Sequence, residues 1–195
     1  MRMKQSTIKA IKTARKWLEK GPIYLDTETT GISNTAQIID LAVIDTDGTV
    51  LLDTLVKPTV AIEKAASNVH GIKDNSVEDA PGFDDIMYSL IFLSQERSVI
   101  IYNAEFDRRL IQQSAEAHNI DPPSIYVHCA MVLYAQFYGY WNDYYGNYRW
   151  QSQAKAAKQL GLELPEDLHR AKADAQLCRL ILEAMAATKL PEEAE

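Results

Sequence analysis

The sequence predicts an α/β fold: a mixed five-stranded sheet flanked by helices, with an extra helix at the amino terminus. Three observations carry that expectation. Apolar, β-branched runs recur early in the chain with only turn signals between them, which suits antiparallel pairing. Later runs of the same kind alternate with segments of helical period, which suits strands joined through helices. Ahead of the first strand, Ile8, Ile11 and Leu18, with Ala14 between them, share one helical stripe.

Each element has a local reason. Residues 1–20 form a basic amphipathic helix that ends at Gly21-Pro22. The first strand starts at Ile23 and is closed by the turn Thr29-Thr30-Gly31. Gln37–Asp45 is the second strand, Asp47-Gly48 is a hairpin signal, and Thr49–Lys57 returns as the third, stopped by Pro58. Phe83–Leu93 has helical periodicity, Ser98–Tyr102 is a short apolar strand, and Ala104–His118 is a helix. Pro122-Pro123 breaks that helix before a fifth strand over Ser124–His128. Helices over Gln151–Leu160 and Ala171–Ala187 complete a domain spanning residues 21–190, and the tail over residues 191–195 is expected to fray.

The 195 residues are 47% apolar and 24% charged, enough to bury a core and too apolar for a disordered chain. No run of eighteen apolar residues occurs, so no membrane partner is expected. Cys129 and Cys178 lie far apart without metal-ligand spacing, and they read as small buried side chains in a reducing compartment. The basic first helix has the acid-poor look of a transit peptide, but it runs straight into the first strand. A docked helix in a cytoplasmic protein is therefore the expectation. Residues 1–20 carry seven basic side chains against Glu19, or +6, whereas the other 175 residues hold 13 basic and 26 acidic side chains, or −13. A body this acidic is a poor general binder of phosphate backbone, so nucleic acid would need bound cations and local contacts.

The acids themselves are arranged. Asp26 and Glu28 are two apart on the first strand, so both leave one face. Asp107 shares a helical face with Leu110, Ile111 and Ser114, and Asp174 shares one with Leu177, Cys178 and Ile181. One inward acid is ordinarily a cap or half of an ion pair. Four, with too few inward bases to match them, ask for divalent cations held by oxygen ligands. His169 precedes Asp174 by five residues, off its face, in the loop or first turn leading into the last helix. There it is either a solvated loop side chain or a group that leans on the acids and takes a proton from water.

Asp26-Thr27-Glu28-Thr29-Thr30-Gly31, Asn103-Ala104-Glu105-Phe106-Asp107 and His169-Arg170-Ala171-Lys172-Ala173-Asp174-Ala175, with the softer Val69-His70-Gly71-Ile72, resemble the motifs of the DEDDh (DnaQ-like) 3′–5′ exonuclease superfamily, in order. The resemblance implies a ribonuclease-H-like fold and two divalent cations, Mg²⁺ or Mn²⁺, held by Asp26, Glu28, Asp107 and Asp174. It implies that His169 deprotonates the water that attacks the terminal phosphodiester, releasing a nucleoside 5′-monophosphate. Thr29, Thr30, Gly31, His70, Asn103 and Phe106 would hold the terminal nucleotide. For Phe106 the alternative is core packing, and for His70 a hydrogen bond that fixes the turn.

The implied partners are single-stranded DNA or RNA 3′ ends. DNA is favoured because the spacing and His70-Gly71-Ile72 resemble the proofreading and repair branch, with RNA trimming as the alternative. A non-catalytic nucleic-acid-binding module and an endonuclease are the competing classes. Little chain follows the last helix, so a free-standing enzyme is expected rather than a polymerase-bound subunit, although the first helix could serve as a tether. Residues 134–150 hold nine of the chain's seventeen aromatics and read as an exposed loop rich in Tyr, Asn and Gly. These rings either line a track for the last bases of a strand, with Arg149 on a phosphate, or pack on the core or on a second copy in a homodimer.

Overall fold

In the computed structural model, which describes residues 3–193, β1 (Ile23–Thr29) is the middle strand of a five-stranded sheet ordered β3-β2-β1-β4-β5. β2 (Ile38–Ile44) and β3 (Val50–Leu55) extend it antiparallel through the Asp47-Gly48 turn, where Gly48 takes a φ of +90° that favours glycine. β4 (Val99–Ile101) and β5 (Val127–Cys129) join on the other side, parallel. This is the mixed, ribonuclease-H-like sheet that the sequence predicts. The fifth strand is shorter than expected because only Val127–Cys129 pair with β4.

Period-two alternation divides β1 between two cores. Ile23 and Leu25 face α3 (Phe83–Ser94) and α4 (Ala104–Ala117), where Phe83, Leu90, Leu110 and Ile111 close one apolar cluster. Tyr24 faces the opposite layer, built by α1 (Gln5–Leu18), α5 (Ala130–Tyr138), α6 (Gln153–Gln159) and α7 (Ala171–Ala187). α1 is part of that layer: Ile11 and Ala14 are fully buried, and Arg15 Nε donates to the carbonyl of Ala186 in α7 at 2.8 Å.

Three elements escape the sequence reading. A short α2 (Lys64–His70) ends at Gly71 with φ +76°. The expected loop over residues 134–150 is instead the end of α5 followed by a two-stranded hairpin, β6 (Trp141–Asn142) and β7 (Asn147–Tyr148). α5 is apolar on nearly every side, so it shows no amphipathic stripe. Its Tyr134 is buried and donates through its hydroxyl to Gln159 Oε1 at 2.9 Å. The predicted fraying of the tail does not extend to Pro191–Glu193, a 3-10 turn that Arg15 holds through Glu193 Oε2 at 2.9 Å; residues 194 and 195 lie outside the described residues, as do Met1 and Arg2. Among the described residues no helix is long and apolar enough to cross a membrane. Cys129 and Cys178 are unpaired thiols, and Cys178 is buried.

Candidate active site

A β-bulge shapes the end of β1. Glu28 pairs with Asp40 but Thr29 pairs with Ile38, so Ile39 is skipped and the strand turns out of register beside its acids. Asp26 and Glu28 leave the Tyr24 face, towards α7. There Asp174, in the first turn of α7, meets them: one oxygen from each of the three carboxylates lies within 4.8 Å of the other two. Thr27 points to the other face, and its hydroxyl donates to Asp107 Oδ1 at 2.8 Å. Asp107 rides on α4, in the layer opposite α7, and so reaches the site from across the sheet. The four expected acids therefore assemble as three plus one rather than as one even cluster.

Their electrostatics match that crowding. Burial, then the charges of Asp107, Asp174, Glu28 and Asp40, push the Asp26 carboxyl well above the usual carboxylate range. Glu28 is pushed up to about 8 by burial and by Asp174, Asp40 and Asp107, with Arg170 opposing. Asp107 rises to about 7 through burial, despite the Thr27 hydrogen bond that favours its charged form. Asp174 is raised by burial against the pull of the neighbouring His169.

His169 sits where the sequence places it, just before α7, and adopts φ +69°, a backbone conformation rare outside glycine and usually kept where function requires it. Its ring is half exposed, with Nδ1 4.0 Å from Asp174 Oδ2. Arg170 anchors this corner. Its Nε donates to Asp40 Oδ2 at 2.8 Å, and the Ala171 N–H donates to the same oxygen at 3.3 Å. Asp40 is buried on β2 directly across from Glu28. Sequence reasoning missed both Asp40 and Arg170, and Thr27 as well. Their signal was present: Asp40 interrupts an otherwise unbroken apolar strand, and Arg170 adjoins His169.

Beside the acids lies a cavity of about 370 Å³ lined by Glu28, Thr29, Gly31, His70 and Phe106, among others. Phe106 is partly exposed to it, with the Arg109 guanidinium 5.2 Å from its ring centre. A Cβ at Gly31 would come within 2.4 Å of the carboxyl of Glu63, an exposed flexible side chain that would have to swing aside. Thr30 is buried and structural, its hydroxyl accepting from the Gln37 N–H at 3.0 Å. His70 accepts from the Ile72 N–H through Nδ1 at 3.0 Å, and its Nε2 lies 3.2 Å from the Thr29 carbonyl. Both ring nitrogens are thus engaged by backbone, which favours turn-fixing over substrate contact. Asn103 is exposed at the start of α4, its side chain unused as a helix cap.

A divalent cation fits this donor set. The cluster is all carboxylate oxygen, and Asp174 Oδ1 is buried without a protein hydrogen-bond partner. The nearest guanidinium, on Arg170, is spent on Asp40.

Comparisons agree with the geometry. The family model described as exonuclease, of the RNase T type, matches residues 23–182. An uncharacterized exonuclease of Escherichia phage 186 is 38% identical over 179 residues, covering 89% of this chain and 92% of that one. DNA polymerase III subunit epsilon of Buchnera aphidicola subsp. Schizaphis graminum is 35% identical over 101 residues, and the match spans 47% of this chain and 43% of the subunit. Among solved structures, exonuclease X in complex with 5′-overhanging duplex DNA shares the fold at a TM-score of 0.64 and 23% identity, covering 88% of this chain and 95% of that one. The chain belongs to the RNase T-type exonuclease family, within the DEDDh (DnaQ-like) 3′–5′ exonucleases.

Proposed function

We propose that this exonuclease is a free-standing enzyme of the reducing cytoplasm that trims single-stranded 3′ ends, DNA in preference to RNA, and releases nucleoside 5′-monophosphates. The observation that carries the reading is the trio Asp26, Glu28 and Asp174, whose carboxylate oxygens lie within 4.8 Å of one another. With Asp107 these residues would hold two divalent cations, Mg²⁺ or Mn²⁺. When bound, the cations supply Lewis acidity at the scissile phosphate and cancel the charge that otherwise repels it.

The chain's own residues do the rest. His169 Nδ1 faces Asp174, which leaves Nε2 to accept the proton of the attacking water. As the water oxygen bonds to phosphorus, the bond to the leaving 3′-oxygen breaks, and that oxygen takes a proton from solvent to become the new 3′-hydroxyl. Asp174 then stabilises the imidazolium. Thr27 keeps Asp107 aimed at the site. Phe106 offers a face on which the terminal base can stack, whatever its identity. Support for DNA is modest: the names of exonuclease X's ligand and of the epsilon subunit both point that way.

The test is a time course with Mg²⁺ on 5′-labelled single-stranded DNA, RNA and duplex, alongside Asp107→Asn and His169→Ala. Each substitution is expected to lower kcat by roughly 10²- to 10⁴-fold while binding of the oligonucleotide persists. Unchanged turnover in either variant overturns the assignment of roles. Faster loss of RNA than of DNA overturns the substrate preference, and cleavage of circular DNA overturns the need for a free 3′ end.

A further inference from the structure

The β6–β7 hairpin belongs to neither helical layer, and the catalytic chemistry above makes no use of it. It carries Tyr140, Trp141, Tyr144, Tyr145 and Trp150 exposed, with Tyr145 70% and Trp150 60% accessible. Exposure of this many large rings in one place marks a binding surface. Four of the hairpin's rings also pack in pairs. Trp141 packs edge-on against Tyr148 at 5.0 Å, and Tyr144 against Tyr145 at 4.8 Å. Asn142 Oδ1 accepts from the N–H groups of Tyr144 and Tyr145 at 3.1 and 3.4 Å. The Arg149 N–H donates to the Tyr140 carbonyl at 2.8 Å, and its guanidinium lies 5.9 Å from the Tyr140 ring centre.

Between these side chains opens a cavity of about 620 Å³ lined by Asn142, Tyr145, Asn147, Arg149 and Trp150. Rings, amides and one cation are the set that stacks on bases, reads base edges and pairs with a phosphate. Among the described residues no aliphatic side chain lines it, which makes it a poor seat for an apolar helix or peptide. Charge points the same way. From Gly139 to Ser152 the chain has one acid, Asp143, and one base, Arg149, in a protein of net charge −7. This neutral island is where a phosphate backbone meets little repulsion.

The hairpin is rooted at the active site. Tyr102, next to Asn103, donates through its hydroxyl to the Gln151 carbonyl at 3.1 Å. Gln153 Nε2 donates to the Asp174 carbonyl at 2.6 Å. The segment leaving β7 is thus tied to both chain segments that bring Asp107 and Asp174 to the cleft.

We propose that the hairpin is an extended binding site for the single strand upstream of the 3′ end, with bases stacked on Tyr145 and Trp150 and Arg149 on a phosphate. This rests on the exonuclease reading above, because the strand's end must lie in the cleft. Exposed bases are needed for stacking, so the site takes a single strand rather than a duplex.

The test uses full-length protein, oligo(dT) of twelve residues and the dinucleotide. Tyr145→Ala and Trp150→Ala are each expected to raise KM for the twelve-mer about tenfold while kcat changes less than about twofold. For the dinucleotide, which has a single base upstream of its 3′-terminal nucleotide, the rise should largely vanish. Circular dichroism and melting confirm that the exposed substitutions leave the fold intact. Binding is read separately in EDTA, where the twelve-mer should quench tryptophan fluorescence in the parent protein and far less in Trp150→Ala. Unchanged KM and unchanged quenching in folded variants overturn the proposal. An equal KM rise for the dinucleotide also overturns it, because the rings would then act in the cleft. So does a parent dimer that either variant dissociates without affecting KM, which would make the patch a contact between copies. A parent protein that degrades neither substrate yet shows the quenching sinks the exonuclease reading of the cleft and leaves the strand site standing.

Discussion

Buried, and beside Asp174, Asp40 and Asp107, the Glu28 carboxyl is pushed up to about 8 in the folded protein against 4.5 in an unfolded chain. Between those two pH values the folded state binds more protons, so the metal-free protein loses stability as pH rises through that window. Below about 4.5 both states are protonated and the penalty vanishes. Glu28→Gln removes the charge but keeps the shape. In EDTA, the melting temperature of Glu28→Gln minus that of the parent should grow from pH 4.5 to 8. Added Mg²⁺ should shrink or reverse the gap. A difference flat with pH would mean that Glu28 is not strained by its neighbours. The acid itself was legible in the sequence because its two-residue spacing from Asp26 is a local property of strands. Its pairing with Asp40 was not, because that depends on the register of β1 against β2.

The start of α7 is the element on which the geometry of the site turns. Asp40 holds Arg170 and the Ala171 N–H, and so fixes the corner where His169 takes its left-handed backbone. Arg170 is partly exposed, so Arg170→Ala should fold while letting that corner drift. A displacement of order 1 Å is enough to cost ~10- to 100-fold in kcat with KM little changed. Steady-state kinetics on single-stranded DNA check this, and an unaltered kcat would make the ion pair merely structural. At this scale the sequence showed α4 and α7 well because each is amphipathic, with its acid on the apolar stripe. It hid α5, which is apolar nearly all round, and α2, which is only seven residues long. It left the role of His70 open between a substrate contact and a turn-fixing hydrogen bond. Only the packing of α2 over the end of β1 brings the ring to the Thr29 carbonyl.

Across the whole molecule, the basic first helix is built into the core rather than appended to it. Ile11 is fully buried in α1, which packs on α5 and α7. Ile11→Ala should therefore cost about 2–5 kcal/mol, read from urea unfolding. A helix that served only as a leader or a tether would show almost no loss.

The chain's linear order was sufficient to place the four acids, since strand and helix periods are local and assign Asp26, Glu28, Asp107 and Asp174 to inward faces without knowledge of any partner. Tertiary structure alone decided that three of these acids meet on one side of the sheet while Asp107 arrives from the other, braced by Thr27. That division follows from which layer each helix occupies and from the bulge between Glu28 and Thr29, and both are set by contacts between residues far apart in the chain.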